Sequence, residues 1–481
     1  MSEKSFASTV DIKKCEFTAV DGKTKRRADN GVIRFDYFED IESPTIMGEL
    51  EIGEESMNSL ITDLPLQGGE HVEIVLETAA DDKTHTFQLT VFKIYGRYTV
   101  DRFQTYRLGL VSSEVLANEM VRMGKVLEGL PSQIVTKLLK DNIGTKKKVF
   151  VDKALNKIKY QPGKKTPFNI IHAFKLKTIA EGGNTTVNKL GKSTTKFKWK
   201  NVRGGGREKV EVQTGGVKST KETTEKLKGT AGYLFWENKA GYNFKSMDLL
   251  YDNKRINKPA ATYIQGSIAT GSDPRWIIND IDFEKEIDLL DKLRHGAFSS
   301  HICFYNTGTG RYEEYAYSLD DQFQEMNHLG PQKGLGVAQA DYSKYPTQMM
   351  SVLLDHETWY DGSGIASPED KDGGKKDTTE FPDWQKHFTA QAIARYGSFN
   401  NQQVEIQVPS NPSLKVGDVI VIKVLSQSPD KKTNPWDREH SGSYLISKVN
   451  HAFGIKQAEA RTFLTLIRDV YGDKITNVET T

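Results

Sequence analysis

Hydrophobic and polar positions alternate in short runs at both ends of the chain. Toward one end, three β-rich runs follow one another at 414–422, 441–449 and 461–469; Gly417-Asp418 lies in the first, and Ser441-Gly442-Ser443 opens the second. β-Branched and aromatic residues fill them, which suits a half-buried pleated surface. The same three-part phrase stands toward the other end, at 66–76, 86–92 and 105–111. Two similar β-modules are therefore expected to bracket the chain. Ahead of the first copy, 31–38 and 47–52 also read as strands. Leu50 and Ile52 alternate there with Glu49 and Glu51, the sign of one wet face.

Between the modules the period changes. Ile134, Val135, Leu138 and Leu139 share one helical face, with Ser132 as the expected cap and Gly144 as the stop. A second helix is expected from Pro167, a residue tolerated in a first turn, through Phe168, Ile170, Ile171 and Phe174. The stretch 232–250 reads as an aromatic hairpin turning at 238–241, with Tyr233, Phe235, Tyr242 and Phe244 spaced to cross-pack. A helix at 287–294 closed by Gly296, and a hairpin at 301–318 turning at 307–310, follow. The expected class is α+β and β-rich: two antiparallel β-barrel domains, 1–115 and 384–481, flank a mixed α/β middle region, 116–383. That middle region carries a long insertion at 181–228, with a hairpin around Gly204-Gly205-Gly206, and a polar linker at 360–382.

Composition narrows the function classes. The 481 residues carry a net charge of +2, so the whole molecule is not an electrostatic nucleic-acid binder. Charge is distributed unevenly, however. Ten acidic residues and no Lys or Arg lie between Asp36 and Glu70, whereas 181–228 holds twelve Lys or Arg against five Glu. The first reads as a solvated face or an acidic surface with a purpose; the second reads as a solvated loop that can meet a polyanion or an acidic neighbour. Cys15 and Cys303 show no metal-ligand spacing and fit folding in a reducing compartment. The first residues, Met1-Ser2-Glu3-Lys4-Ser5, contain no apolar core, so no signal peptide is expected. No apolar run has the length of a membrane span, and no membrane insertion is expected.

Chemistry-bearing patterns are sparse. The histidines form no HExxH, and His172 and His451 sit among apolar residues as core histidines would. Asp370-Lys371-Asp372-Gly373 lacks the ligand rhythm and closing Glu of a calcium loop. The triple glycine lacks the strand–loop–helix context and the Gly-Lys-Ser/Thr of a phosphate loop. Pairs such as Asp320-Asp321 are common in so acidic a chain. No catalytic, cofactor-binding or metal-ligating residue is assigned, and no enzyme activity is expected.

The aromatic hairpin carries a resemblance. Its residues Phe235, Glu237, Gly241, Phe244, Ser246 and Asp248, the segment 130–135, the Pro167-Phe168 helix start, and the closing runs 441–446 and 464–469 appear in an order that resembles the baseplate central hub proteins of large contractile-tailed bacteriophages, the myoviruses. The insertion and the linker depart from that pattern. The resemblance implies a structural virion protein, assembled in the host bacterial cytoplasm as a homotrimer. Such a hub joins the six-fold tail tube ring to the three-fold cell-puncturing spike, meets the wedge proteins of the baseplate, and lets DNA pass through its channel during ejection. It implies no catalysis. A hub of a related contractile injection or secretion system and a tail-associated cell-wall hydrolase are the alternatives.

Overall fold

Alternation at the two ends becomes one sheet. The computed structural model describes residues 8–471 apart from 56–59, 65, 79–82, 191–199, 202–206, 209–220, 267–272, 286–287, 307–310, 331–336, 354–383, 431–433 and 458. The first module contains β1 (Val10–Thr18), β2 (Lys25–Arg27), β3 (Val32–Asp40), β4 (Met47–Glu55), β5 (His71–Thr78), β6 (Lys83–Val100) and β7 (Phe103–Val111). On β4, Leu50 and Ile52 are buried while Glu49 and Glu51 reach Arg107 on the wet face. Helix α1 (Ser113–Met120) follows.

The middle of the chain holds α2 (Pro131–Lys137), β8 (Lys148–Val151), α3 (Pro167–Lys175), β9 (Ile179–Leu190), β10 (Lys221–Ala231), β11 (Tyr233–Asn238), β12 (Gly241–Ser246) and α4 (Met247–Leu250). It continues through β13 (Thr262–Ile264), β14 (Asp280–Lys285), α5 (Leu289–Arg294), β15 (Ser299–Asn306), β16 (Arg311–Ser318) and β17 (Gln348–Leu353). Helix α6 (Trp384–Ser398) then leads to β18 (Gln402–Pro409), β19 (Val419–Lys423), β20 (Gly442–Gly454) and β21 (Glu459–Arg468).

A 13-stranded sheet runs β14-β18-β21-β20-β3-β4-β7-β6-β5-β1-β2, with β19 also on β20 and β13 on β19. The two copies of the repeated phrase fold alike, as the meanders β5-β6-β7 and β19-β20-β21. Each has a register shift in its last pair, at Val91/Lys93 and at Ile446/Lys448, and such bulges bend a strand. The α+β, β-rich class is as expected. The strand pairings themselves remain an open row, and no closed barrel is formed among the described residues. Length explains this: β20 is 13 residues long, so its 442–445 end pairs β19 while its 448–454 end pairs β3. The modules are thereby fused edge to edge. Each keeps its own core, one around Phe17, Phe35, Leu50 and Phe87, the other around Val408, Ile420, Tyr444 and Leu466.

Three local expectations change. Ser132 does not cap α2; Leu130 is the N-cap and Pro131 the first helical residue, because proline needs no acceptor for its missing N–H. Gly144 does stop that segment, at φ +78° after a π-helical turn over Leu138–Ile143. The arms of the 181–228 insertion are not loop but the paired strands β9 and β10, part of a five-stranded sheet β10-β9-β16-β15-β17. Lys200–Asn201 pairs Arg207–Glu208 around the triple glycine, while 202–206, the linker 360–382 and the turn 307–310 lie outside the described residues.

Candidate functional site at the aromatic hairpin

Every residue of β11 is buried, so the hairpin has two dry faces. Its register sets Phe235 opposite Phe244 and Glu237 opposite Tyr242. On one face Tyr233 stacks on Phe244 at 4.7 Å and Phe235 meets Phe168 of α3 edge-on at 5.7 Å. On the other face Leu234 and Trp236 enter the core of the second β-module. A single β-ribbon therefore divides two hydrophobic cores and binds to both.

The six residues singled out in the sequence all lie at this junction. Phe235 and Phe244 fill the α3 side. The Glu237 carboxylate accepts from the Ile46 amide of the first module at 3.1 Å and from Lys147 Nζ at 2.5 Å, and Lys147 also reaches Glu114 of α1 at 2.7 Å. Burial pushes the Glu237 carboxyl up, with the Lys147 ammonium opposing it. Ser246 Oγ accepts from the Asp248 amide and so caps α4. Asp248 accepts from the Asn327 amide at 2.9 Å and pairs with Arg395 of α6 at 3.3 Å.

Gly241 permits a close approach that no side chain allows. At φ +137°, a Cβ there would stand 2.2 Å from the Lys148 carbonyl oxygen, in the parallel pairing of β12 with β8. Gly241→Ala is expected to cost at least about 2 kcal/mol, because neither the backbone angle nor a backbone oxygen can be relieved by a rotamer change. A urea titration against the wild type checks this; an unchanged midpoint would show that β8 simply moves aside.

Sequence reasoning missed the bolt beneath the turn. Glu39 of β3 is buried, and its carboxylate accepts from Tyr37 Oη at 2.9 Å, the Lys239 amide at 2.6 Å and the Val416 amide at 2.8 Å. It thus ties the first module, the hairpin turn and the second module at one point. Burial raises its pKa to about 7. The solvated-face reading of the acidic stretch fails at Glu39, and also at Glu70, whose buried carboxylate accepts from the Gln67 and Gly68 amides. His451 is a core histidine, while His172 is only partly buried, edge-on to Phe235; burial lowers them to about 3 and about 4.

Beside this junction the fused sheet presents a broad open groove of about 950 Å³. Its lining comes from eight consecutive strands of the row, β14-β18-β21-β20-β3-β4-β7-β6. Asp40, Glu49, Asp280, Asp282 and Glu405 face Lys93 and Lys448 there, with Phe38, Met47, Phe92 and Phe463 partly exposed. The two ends of this eight-strand row differ in charge. Pairing with β5 stops at Thr90, so Lys93–Val100 of β6 is held by β7 alone among the described residues. That free edge carries Lys93 and Arg97. At the other end β14 pairs, among the described residues, only with β18, and presents exposed Asp280, Asp282 and Glu284.

No family model matches this chain, and no curated protein matches its sequence. Solved structures do. A tail protein from Neisseria meningitidis aligns over 95% of this chain and 96% of its own at 12% identity, with a TM-score of 0.48. The 43 kDa tail protein of prophage MuSo2 from Shewanella oneidensis aligns over 95% and 98% at 8% identity, with a TM-score of 0.47. A type VI secretion system component from E. coli aligns over 92% of this chain and 76% of its own at 9% identity, with a TM-score of 0.36.

Proposed function

We propose that this chain is the central hub of a phage baseplate: a structural, non-enzymatic virion protein that forms a homotrimeric ring between the tail tube and the cell-puncturing spike, with contacts to the surrounding wedge proteins. The observation that carries the reading is the eight-strand row, whose two ends, β14 and the Lys93–Val100 part of β6, are oppositely charged and lack an outer partner strand among the described residues. Its pairings are antiparallel throughout. An even number of alternating strands leaves β6 and β14 running in opposite directions, so a head-to-tail contact between copies continues the same antiparallel pattern. Unpaired edges are a liability unless something covers them, and heterologous contacts that close make rings. Three copies would set six β-modules about one axis, matching a six-fold tube above and a three-fold spike below. The groove would line the channel. Its excess of carboxylates would repel DNA phosphates and let the genome slide instead of binding.

Light scattering tests this. The native mass should be near three times the 54.1 kDa of one chain. Lys93→Glu with Arg97→Glu should give monomers, as should Asp280→Lys with Asp282→Lys, and the four changes together should recover trimer. A strict monomer that stays monomeric with the trimeric spike protein present would overturn the hub reading.

A further inference from the structure

We propose that His301, Cys303 and Glu314 form a zinc-binding site on the outer face of the five-stranded sheet. His301 and Cys303 lie two residues apart on β15, so their side chains project to the same side of the sheet. Glu314 of β16 stands directly opposite Cys303 in the antiparallel register. The inner face of this sheet is occupied by Ile302, Phe304, Tyr315 and Tyr317, which pack with Ala390 and Ala394 of α6. The three ligands therefore belong to the face that the core does not use.

The donor atoms of the three side chains all lie within 4.8 Å of one another. A tetrahedral zinc ion about 2.0–2.3 Å from each donor needs them somewhat closer, a contraction that side-chain rotation on adjacent strands can supply. The mix of one thiolate, one imidazole and one carboxylate uses the three zinc ligand types. Harder cations such as calcium and magnesium take oxygen ligands instead. His301 Nε2 and Glu314 Oε2 are already 3.0 Å apart, and the metal would replace the proton they share. The other carboxylate oxygen, Oε1, accepts from Tyr312 Oη at 2.6 Å, the kind of outer hydrogen bond that orients a ligating carboxylate. His301 is buried whereas Cys303 and Glu314 are partly exposed, so the ion has a route in, and water would complete its coordination. No spacing motif announces the site because one of its ligands is brought in across a β-ladder. The ion would staple β15 to β16, independently of whether the chain forms a ring.

The test is cobalt and zinc titration of the tag-free, fully reduced full-length protein. Cobalt should bind one per chain, with a near-ultraviolet thiolate-to-metal charge-transfer band that zinc abolishes on displacement. Cys303→Ser should remove that band, and Cys303→Ser and Glu314→Gln should each weaken zinc binding by roughly 100-fold or more, whereas Tyr312→Phe should weaken it by about 10-fold. Zinc should also raise the thermal midpoint of the wild type and not of Cys303→Ser, with both folded by circular dichroism. Absence of stoichiometric uptake by the wild type would overturn the proposal and leave a plain cross-strand His–Glu contact. So would binding that Cys303→Ser and Glu314→Gln leave unchanged. If Cys303→Ser fails to fold, Glu314→Gln and the charge-transfer band of the wild type decide the matter alone.

Discussion

Trp236→Ala should lower the unfolding free energy by about 3–5 kcal/mol, in the range for a large aromatic removed from a core. Trp236 is 1% exposed and belongs to the core of the second β-module, although its strand belongs to the hairpin. Its ring lies over Gly417, where a Cβ would sit 2.7 Å from the indole, and Nε1 donates to the Val416 carbonyl at 3.3 Å. The surroundings cannot collapse onto the cavity, because the Val416–Gly417 backbone is also held by Asn238 and Arg255. Trp236→Phe should cost clearly less, since it keeps most of the ring and loses one hydrogen bond. Guanidinium titration measures both. Limited proteolysis should show new cleavage between α6 and β18 in the alanine variant alone. Equal loss in the two variants would assign the effect to the indole hydrogen bond instead of to packing.

The parts of this fold that the sequence discloses are those whose physics is local. The repeated phrases are legible because their alternation and turns are set within each run, and both fold as three-strand meanders. The hairpin is legible because Tyr233, Phe235, Tyr242 and Phe244 are in register with one another. What joins the modules is not local. Nothing near Asp36 announces that β3 will pair with β20, more than four hundred residues away. Glu39 did leave a trace: Phe35, Tyr37 and Glu39 alternate on one face of a strand, so a carboxylate stands where the pattern calls for an apolar residue. Counting it among the charges of an acidic stretch hid that position. The partners of Asp248 were likewise invisible, since Arg395 and Asn327 come from distant segments. The His301–Cys303–Glu314 cluster escaped for the same reason as any site assembled across a ladder.

Glu39 should make the stability of the junction depend on pH in a direction opposite to that of an ordinary salt-bridged carboxylate. Its folded pKa is raised from 4.5 to about 7 by burial. Below the unfolded pKa the carboxyl is protonated in both states and burial costs least. Between pH 4.5 and about 7 the unfolded chain gives up the proton that the folded chain retains, so this contribution to stability is lost as pH rises. The total is about 3 kcal/mol, at roughly 1.4 kcal/mol per pH unit. Glu39→Gln removes the titration but can accept through only one oxygen, leaving either the Val416 amide or the Lys239 amide unmatched, which costs about 1–3 kcal/mol. The wild type should therefore be more stable than Glu39→Gln near pH 5, and the gap should vanish or reverse by pH 8. Other carboxyls whose pKa desolvation raises, Asp36, Asp152 and Glu237, are common to both proteins and cancel in the difference. Glu39→Ala, which strands all three donors, should be the least stable at either pH. Urea titrations of the three proteins at pH 5, 6.5 and 8 provide the comparison. A gap between wild type and Glu39→Gln that does not change with pH would mean that Glu39 stays ionised throughout, its three donors outweighing its burial.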